Sequence, residues 1–149
     1  MRVLVDTSVW SVALRRRKKR ESHVVQEFRS LILEHRVDII GPIRQELLSG
    51  LREKAQFEKL EKHLAAFPDI PLETDDHVMA AQFFNSCRAK GIQGSNTDFL
   101  ICAVAVRRHL AIYSTDKDFP LFAKHLPIVL HETRKFEQGN SSAQDKPRR

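Results

Sequence analysis

The chain has little cysteine, and it lacks the short motifs on which several common protein classes depend. Neither of its two cysteines, Cys87 and Cys102, belongs to a CxxC pair, which excludes a disulfide framework. Seven histidines are present, but no two have the HxxxH spacing of a helical zinc site. No GxGxxG sequence follows the first predicted strand, and no P-loop lysine motif occurs. These absences disfavour a dinucleotide-binding domain and a P-loop nucleotidase, and the sparse, unpaired cysteines indicate a reducing, cytoplasmic location.

Long hydrophobic runs are also absent. No apolar segment approaches the roughly 20 residues that a membrane-spanning helix needs, and the N-terminus has no signal-peptide pattern. We therefore expect no membrane association. The 149 residues are enough for one domain with its own core. Residues 137–149 are polar and end in basic residues, so we expect a folded domain over residues 1–136 and a disordered tail after it.

Acidic residues are outnumbered, since 25 lysines and arginines face 19 aspartates and glutamates for a net charge of +6. An excess of this sign favours an anionic partner, either nucleic acid or an acidic protein. Six consecutive basic residues form its densest part: Arg15, Arg16, Arg17, Lys18, Lys19 and Arg20. This basic run could grip an RNA backbone, attract an acidic partner segment, or form a solvated loop. The three interpretations stay open.

Strand-like and helix-like patterns alternate along the chain. The short β-branched run at residues 3–5 predicts a buried strand, and Thr7 or Ser8 could cap the helix after it. Further helices are expected over residues 23–35, 42–49, 52–67, 75–90, 96–108 and 119–124, and further strands over 37–40, 70–72, 110–114 and 128–130. The strand at 70–72 is weak because proline cannot donate a ladder hydrogen bond. This order predicts an α/β fold with a mainly parallel sheet of four to five strands.

Four acidic residues lie beside strongly apolar segments, at predicted strand ends or in early helical turns: Asp6, Glu46, Asp98 and Asp116. The carboxyl ends of parallel strands share one edge of the sheet, so we expect the four carboxylates to converge there. Such convergence is repulsive unless a cation is present. Mg²⁺ or Mn²⁺ would relieve it, because these hard ions take carboxylate oxygens and waters. Together with the basic charge, the pattern predicts a nuclease that cleaves phosphodiester bonds with a metal-activated water.

Each acid alone also has a structural explanation. Asp6 could be a helix cap, and so could Asp98, although Ser95 or Asn96 competes for that position. Glu46 could pair with a neighbouring arginine, and Asp116 could be a turn residue. A further acid, Asp118, is more typical of a cap for the short helix after it than of a metal ligand. The site prediction therefore depends on the four acids as a set.

The segments around these acids resemble the motifs of PIN-domain ribonucleases. The matching segments are Val5–Trp10 (VDTSVW), Arg44–Gly50 (RQELLSG), Thr97–Ala105 (TDFLICAVA) and Ser114–Phe119 (STDKDF). More narrowly, the chain resembles the VapC toxins of bacterial toxin–antitoxin pairs over about residues 1–131. The resemblance implies a three-layer α/β/α fold and RNA cleavage with Mg²⁺, for which Mn²⁺ could substitute. It also implies inhibition by a cognate small antitoxin protein, and we expect a homodimer.

By motif position, the resemblance assigns the family's catalytic and metal-binding acids to Asp6, Glu46, Asp98 and Asp116. It assigns the hydroxyl groups beside the site to Thr7, Ser8 and Thr115, which could orient carboxylates or waters. The basic run and the polar tail are not part of the family pattern, so no role is carried over to them.

Two other functions remain open from the sequence. A PIN-like nuclease could act on DNA or in ordinary RNA processing. A non-catalytic, basic nucleic-acid-binding α/β module, or a receiver-like signalling domain, would use the acids only as caps or as an acidic pocket. Metal-dependent cleavage of RNA by the purified chain separates the enzyme from the binding module.

Overall fold

The structure is a computed structural model, and it describes residues 1–15 and 22–134. All of the basic run except Arg15 lies outside the described residues, as does the tail expected at 137–149. The prediction that the folded domain ends at residue 136 therefore stays a prediction.

A four-stranded parallel sheet lies at the centre of the described residues. Its strands are β1 (Val3–Val5), β2 (Val37–Asp38), β3 (Ala111–Tyr113) and β4 (Val129–Leu130). They lie in the order β2-β1-β3-β4, and every neighbouring pair is parallel. The prediction of an α/β fold with a mainly parallel sheet is confirmed.

The fifth, weak strand predicted at residues 70–72 is wrong. That segment contributes only an isolated parallel bridge, which joins Asp69 to Ile39. Ile70 donates one backbone hydrogen bond to the carbonyl of Ile39, but a helix begins at Gly41, so the neighbouring chain leaves the sheet before a ladder can continue. The chain therefore passes the sheet edge without joining it.

Seven helices occur within the described residues. They are α1 (Thr7–Leu14), α2 (His23–Leu33), α3 (Gly41–Leu48), α4 (Lys54–Leu64), α5 (Thr74–Arg88), α6 (Asn96–Arg108) and α7 (Asp118–Ala123). Each corresponds to a predicted helix, and the ends differ from prediction by only a few residues.

Three of the predicted helix caps can be compared with the structure. Ser95 caps α6, as one of the two alternatives proposed, and its Oγ accepts the N–H of Asp98. The cap predicted for α1 is wrong, because Thr7 and Ser8 lie inside the first turn and Asp6 occupies the N-cap position without a capping side-chain bond. The cap predicted for α7 is also wrong, since Asp118 is the first helical residue and follows the N-cap.

The sheet topology explains why helices cover both faces of the sheet. The chain crosses the sheet in one direction from β1 to β2 and in the opposite direction from β2 to β3, so right-handed connections place their helices on opposite faces. Helix α1 packs against α2 and α3, while α5 packs along α6, and α6 contacts β3. The result is the three-layer α/β/α arrangement.

The core lies on both faces of the sheet, and the central helix α6 is its most continuously buried helix. All three residues of β1 are fully buried. Residues 99–105 of α6 are buried in an unbroken run, as expected of a helix that is apolar on all sides and covered by neighbours. Each large apolar side chain in this core stabilises the fold by roughly 1.5–3 kcal/mol. A rigid core thus lies directly beneath the edge of the sheet where the acids lie.

Within residues 1–15 and 22–134, no helix has the length and apolar character that a membrane crossing requires.

Candidate active site

Asp6 and Asp116 lie at the carboxyl edge of two neighbouring strands. Asp6 directly follows β1, is 7% exposed, and donates its backbone N–H to the carbonyl of Tyr113 over 2.9 Å. Tyr113 is the last residue of β3, and Asp116 lies in the loop that follows. Since β1 and β3 are adjacent and parallel, their C-terminal loops meet at the same place.

Two serine hydroxyls join these loops. Oγ of Ser8 donates to Oδ2 of Asp6 over 2.9 Å, and Oγ of Ser114 donates to the same oxygen over 2.8 Å. Ser8 in turn accepts the backbone N–H of Thr115 at 3.0 Å, and Ser114 accepts that of Asp116 at 3.0 Å. The loop after β3 is thereby fastened to the start of α1 through side chains beside a buried carboxylate.

Three of the predicted acids each use one oxygen in hydrogen bonds formed by the described residues. Asp6 uses Oδ2, as above, and Asp98 uses Oδ2 to accept the N–H of Ser95 at 3.0 Å. Asp116 uses Oδ1 to accept the N–H of Asp118 at 2.9 Å. The second oxygen of each carboxylate receives no hydrogen bond from a described residue, so it can ligate a cation or a water.

The pKa of Asp98 shows that these acids share one electrostatic environment. Burial raises that pKa most, hydrogen bonds from Ser95 oppose the rise, and the negative charges of Asp6 and Asp116 raise it further. The negative charges of Asp6 and Asp116 thus oppose the ionisation of Asp98, and a cation beside these carboxylates would relieve that opposition.

Glu46, the fourth predicted acid, lies on α3 and is exposed. Its Oε1 accepts a hydrogen bond from the hydroxyl of Thr7 over 2.7 Å. Because Thr7 immediately follows Asp6, this bond places the Glu46 carboxylate beside the start of α1.

An aromatic cluster joins the start of α6, which carries Asp98, to α7, which follows Asp116 in the chain. The rings of Phe99 and Phe122 lie 4.8 Å apart, and those of Phe119 and Phe122 lie 5.3 Å apart. Phe99 follows Asp98 on α6, and the other two rings belong to α7, which begins two residues after Asp116. The chain before α6 approaches this cluster so closely that a Cβ on Gly94 would lie 2.6 Å from Cζ of Phe122.

The hydroxyl groups are arranged differently from the family-based assignment at one position. Thr7 and Ser8 contact acids, but the hydroxyl of Thr115 makes no hydrogen bond with a described residue, and Thr115 contributes its N–H instead. Ser114, which the sequence reasoning missed, supplies the hydroxyl next to Asp6. A signal existed, because a serine two residues before an aspartate can accept its N–H in an ST turn.

The donor set suits a hard divalent cation. Within the described ranges, no three Asp, Glu, His or Cys side chains are grouped so as to hold a metal ion as they stand. Mg²⁺ does not require such a cage, because it is usually bound through one or two carboxylates and completes its octahedron with waters and substrate phosphates. The oxygens of Asp6, Asp98 and Asp116 that accept no hydrogen bond from a described residue are donors of the kind that Mg²⁺ prefers.

The fold and the acids at the carboxyl edge of the sheet define the class of the protein. It is a parallel α/β domain with carboxylate oxygens available at that edge. The model of the family described as PIN domain matches residues 3–125. The VapC ribonuclease Mb1587 of Mycobacterium bovis is 31% identical over 126 residues, which cover 82% of this chain and 92% of that protein. The chain belongs to the PIN-domain family, in its VapC group. Members of this family are generally dependent on a divalent metal ion.

Solved structures share the same fold. FitAcB from Neisseria gonorrhoeae aligns with a TM-score of 0.70 at 23% identity, covering 88% of this chain and 97% of that one. VapBC-5 from Mycobacterium tuberculosis, a member of the VapBC family of toxin-antitoxin systems, aligns with a TM-score of 0.63 at 21% identity, covering 89% and 100%. At these identities the likeness concerns the fold.

Proposed function

We propose that this chain is a divalent-metal-dependent endoribonuclease, the toxin component of a toxin–antitoxin pair, with Mg²⁺ as its cofactor and Mn²⁺ as a substitute. The observation that carries the proposal is the set of three carboxylates, Asp6, Asp98 and Asp116, which act on each other electrostatically and each have one oxygen that accepts no hydrogen bond from the described residues. The 31% identity to a VapC ribonuclease supports RNA as the substrate.

The residues of the site have distinct tasks in this proposal. A divalent cation, when bound, would polarise a phosphate oxygen and acidify a water. Asp6 and Asp116 present oxygens whose direction is fixed by hydrogen bonds to their other oxygens. Asp98 lies in the first turn of α6, where the helix dipole stabilises its charged form. Glu46, whose Oε1 accepts the hydroxyl of Thr7, is the fourth acid of the proposed catalytic and metal-binding set.

The proposed partners are an RNA substrate, a small antitoxin protein and a second copy of the chain, all in the cytoplasm. The net charge of +6 suits a polyanionic substrate. An acidic edge also suits an arginine from an antitoxin, because a guanidinium would pair with the carboxylates and compete with the cation. The basic run at residues 15–20 stays a predicted contact for RNA or antitoxin.

Cleavage of defined RNA by the purified chain tests the proposal. We expect tRNA or rRNA fragments to be cut in Mg²⁺ or Mn²⁺, no cutting in excess EDTA, and recovery when the metal is restored. The Asp6→Asn variant, purified in the same way, should leave the RNA intact and thus exclude a contaminating nuclease. Parallel single-stranded and double-stranded DNA should stay uncut. If DNA alone were cut, DNA would replace RNA as the proposed substrate. Failure to cut either nucleic acid would favour a binding module.

A further inference from the structure

Glu27 is a buried acid that lies outside the candidate active site. It belongs to α2 and is 4% exposed. Nε2 of His131 lies 2.5 Å from its Oε2, and Nε of Arg134 donates to Oε2 over 2.9 Å and to Oε1 over 3.2 Å. A buried carboxylate is costly unless it is paired and hydrogen-bonded. Because both of these partners come from residues 131–134, Glu27 fastens this segment to α2.

The 131–134 segment also contacts the end of β3. Tyr113, the last residue of β3, is 3% exposed, and its ring meets the ring of His131 edge to face with centroids 5.2 Å apart. The hydroxyl of Tyr113 lies 3.1 Å from Oγ1 of Thr133 and donates to the carbonyl of Val24 over 3.4 Å. The segment therefore holds one buried side chain from two positions, while Glu27 holds the segment.

Tyr113 depends on these side-chain contacts because the ladder between β3 and β4 ends before it. Ile112 pairs with Leu130 and accepts the N–H of His131 over 2.8 Å, which is the last backbone bond between the two chains within the described residues. On its other side, the carbonyl of Tyr113 accepts the N–H of Asp6. Tyr113 is thus held through its main chain by Asp6 and through its side chain by the 131–134 segment.

We propose that Glu27 is a positioning residue for the acidic site, and that it acts through the 131–134 segment and Tyr113. Its bonds hold the end of β3 in place on the side away from Asp6, and the loop that carries Asp116 leaves from that end. This inference rests on the proposed metal-dependent function, but its first test needs neither metal nor RNA.

The first experiment is amide hydrogen exchange on the metal-free, full-length chain. Glu27→Gln should accelerate exchange at Asp6, whose N–H donates to Tyr113, more than exchange at Ala103 in the buried part of α6. Asp76→Asn is the matched control, since it also removes the charge of a buried carboxylate with two basic partners, but between α5 and α6. It should not favour Asp6 over Ala103. Equal acceleration of the two amides in Glu27→Gln would indicate a loss of global stability alone and would overturn the proposal.

Two milder variants test the last contact without disturbing Glu27. Tyr113→Phe and Thr133→Val each remove one hydroxyl and keep the volume of the side chain, and each should accelerate exchange at Asp6. Because both break the same 3.1 Å contact, the double variant should show no more than the larger single effect. Additive effects, or unchanged exchange at Asp6 in both single variants, would overturn this route from the segment to β3.

The second experiment measures Mn²⁺ affinity by calorimetry, and RNA cleavage, for the same proteins. Glu27→Gln should lose about 3- to 10-fold in affinity, less than the roughly 10- to 100-fold that follows removal of a direct partner of a metal ligand. Its kcat should fall and recover in part at higher Mn²⁺, while its KM for RNA stays close to that of the wild type. Asp76→Asn, measured where it is folded, should keep the wild-type affinity.

The outcomes separate this inference from the proposed function. If the wild type binds Mn²⁺ and Glu27→Gln binds it more weakly, but neither cuts RNA, the positioning role stands and the ribonuclease proposal fails. If the wild type cuts RNA and folded Glu27→Gln matches it in Mn²⁺ affinity and kcat, the positioning role is overturned. It is equally overturned if the wild type binds no divalent cation, or if Asp76→Asn loses as much affinity as Glu27→Gln.

Discussion

Ser95 and Asp98 hold each other through two reciprocal hydrogen bonds at the start of α6. The N–H of Ser95 donates to Oδ2 of Asp98, and the N–H of Asp98 donates to Oγ of Ser95, both over 3.0 Å. The same carboxylate therefore completes a helix cap with one oxygen and leaves the other for the proposed site. Structural and functional explanations of Asp98 are compatible, and mutation can separate them.

Asp98→Asn should fold as stably as the wild type, or more stably, in metal-free buffer at neutral pH. The raised pKa means that ionised Asp98 is disfavoured in the folded state. This cost is absent below the ordinary pKa of the carboxyl and fully present above its folded-state pKa, so removing the charge relieves it. Asparagine keeps an oxygen for the N–H of Ser95. RNA cleavage should nevertheless fall by at least about 100-fold, the scale of losing one charge-stabilising group.

The control for this variant is Asp118→Asn. Asp118 contributes its backbone N–H to Asp116, and the substitution preserves that donor. Thermal melts and single-turnover cleavage should show an Asp118→Asn protein close to the wild type in both respects. An equal loss of cleavage in the two variants would move the proposed ligand from Asp116 to Asp118.

Gly94→Ala should destabilise the protein by about 1–3 kcal/mol through overpacking. The added Cβ would lie 2.6 Å from Cζ of Phe122 and 3.0 Å from Cε2 of Phe99, in a packed aromatic cluster. Urea unfolding measures the loss. Gly41→Ala is the matched control, because the nearest atom to its Cβ is 4.0 Å away, and its unfolding free energy should change by less than about 0.5 kcal/mol. Equal effects would show that the aromatic cluster tolerates the methyl group.

Asp76→Asn should be destabilising, by about 1.5–3 kcal/mol, because it removes the charge of a buried carboxylate that binds two arginines, both of which keep Glu73 as a second acidic partner. The carboxylate of Asp76 is fully buried and accepts bonds from Arg107 at 2.7 Å, from Arg108 at 2.6 and 3.0 Å, and from the N–H of Glu73 at 2.7 Å. Burial opposes ionisation, but these bonds outweigh it and hold the pKa well below its ordinary value.

The same group gives the stability of the wild type a defined pH dependence. Its contribution is present above the ordinary aspartate pKa of about 3.9 and is lost as the pH falls from there through the lower folded-state pKa. Unfolding free energies measured between pH 7 and pH 2 should show this acid loss in the wild type and a smaller one in Asp76→Asn. Asp75→Asn, at a 79% exposed side chain 3.9 Å from Arg107, should cost less than about 1 kcal/mol.

Expression of the chain alone in a bacterial host should arrest growth, because an unmasked ribonuclease degrades the RNA of the host. The Asp6→Asn variant, expressed to the same level, should not. Co-expression with the neighbouring small reading frame should restore growth and yield a complex on purification. Harmless, high-level expression of the unmodified chain would contradict the toxin role while leaving an ordinary PIN-domain nuclease possible.

Local pattern was sufficient to predict the elements of the fold and the position of the acids along them. The β-branched run before Asp6 and the 3.6-residue apolar spacing of the helices are local properties, so strand and helix alternate as predicted. The carboxyl ends of neighbouring parallel strands lie at the same edge of a sheet, and this rule predicts that Asp6 and Asp116 lie near each other. The predicted strand at residues 70–72 failed because pairing also requires a neighbouring strand, and the chain beyond Ile39 enters α3 at Gly41.

By itself, the sequence determined the α/β class, the parallel sheet and the identity of the four candidate acids, because each follows from residues that are neighbours in the chain. Only the tertiary structure decided which hydroxyl serves Asp6. Ser114 and Thr115 are chemically alike and adjacent, and the turn of the backbone after β3 directs the first of them to a carboxylate 108 residues away. The tertiary structure also decided between the two predictions for Thr7 and Ser8, whose hydroxyls contact acids and do not cap α1. Contacts of this kind depend on how distant segments pack, which no local periodicity encodes.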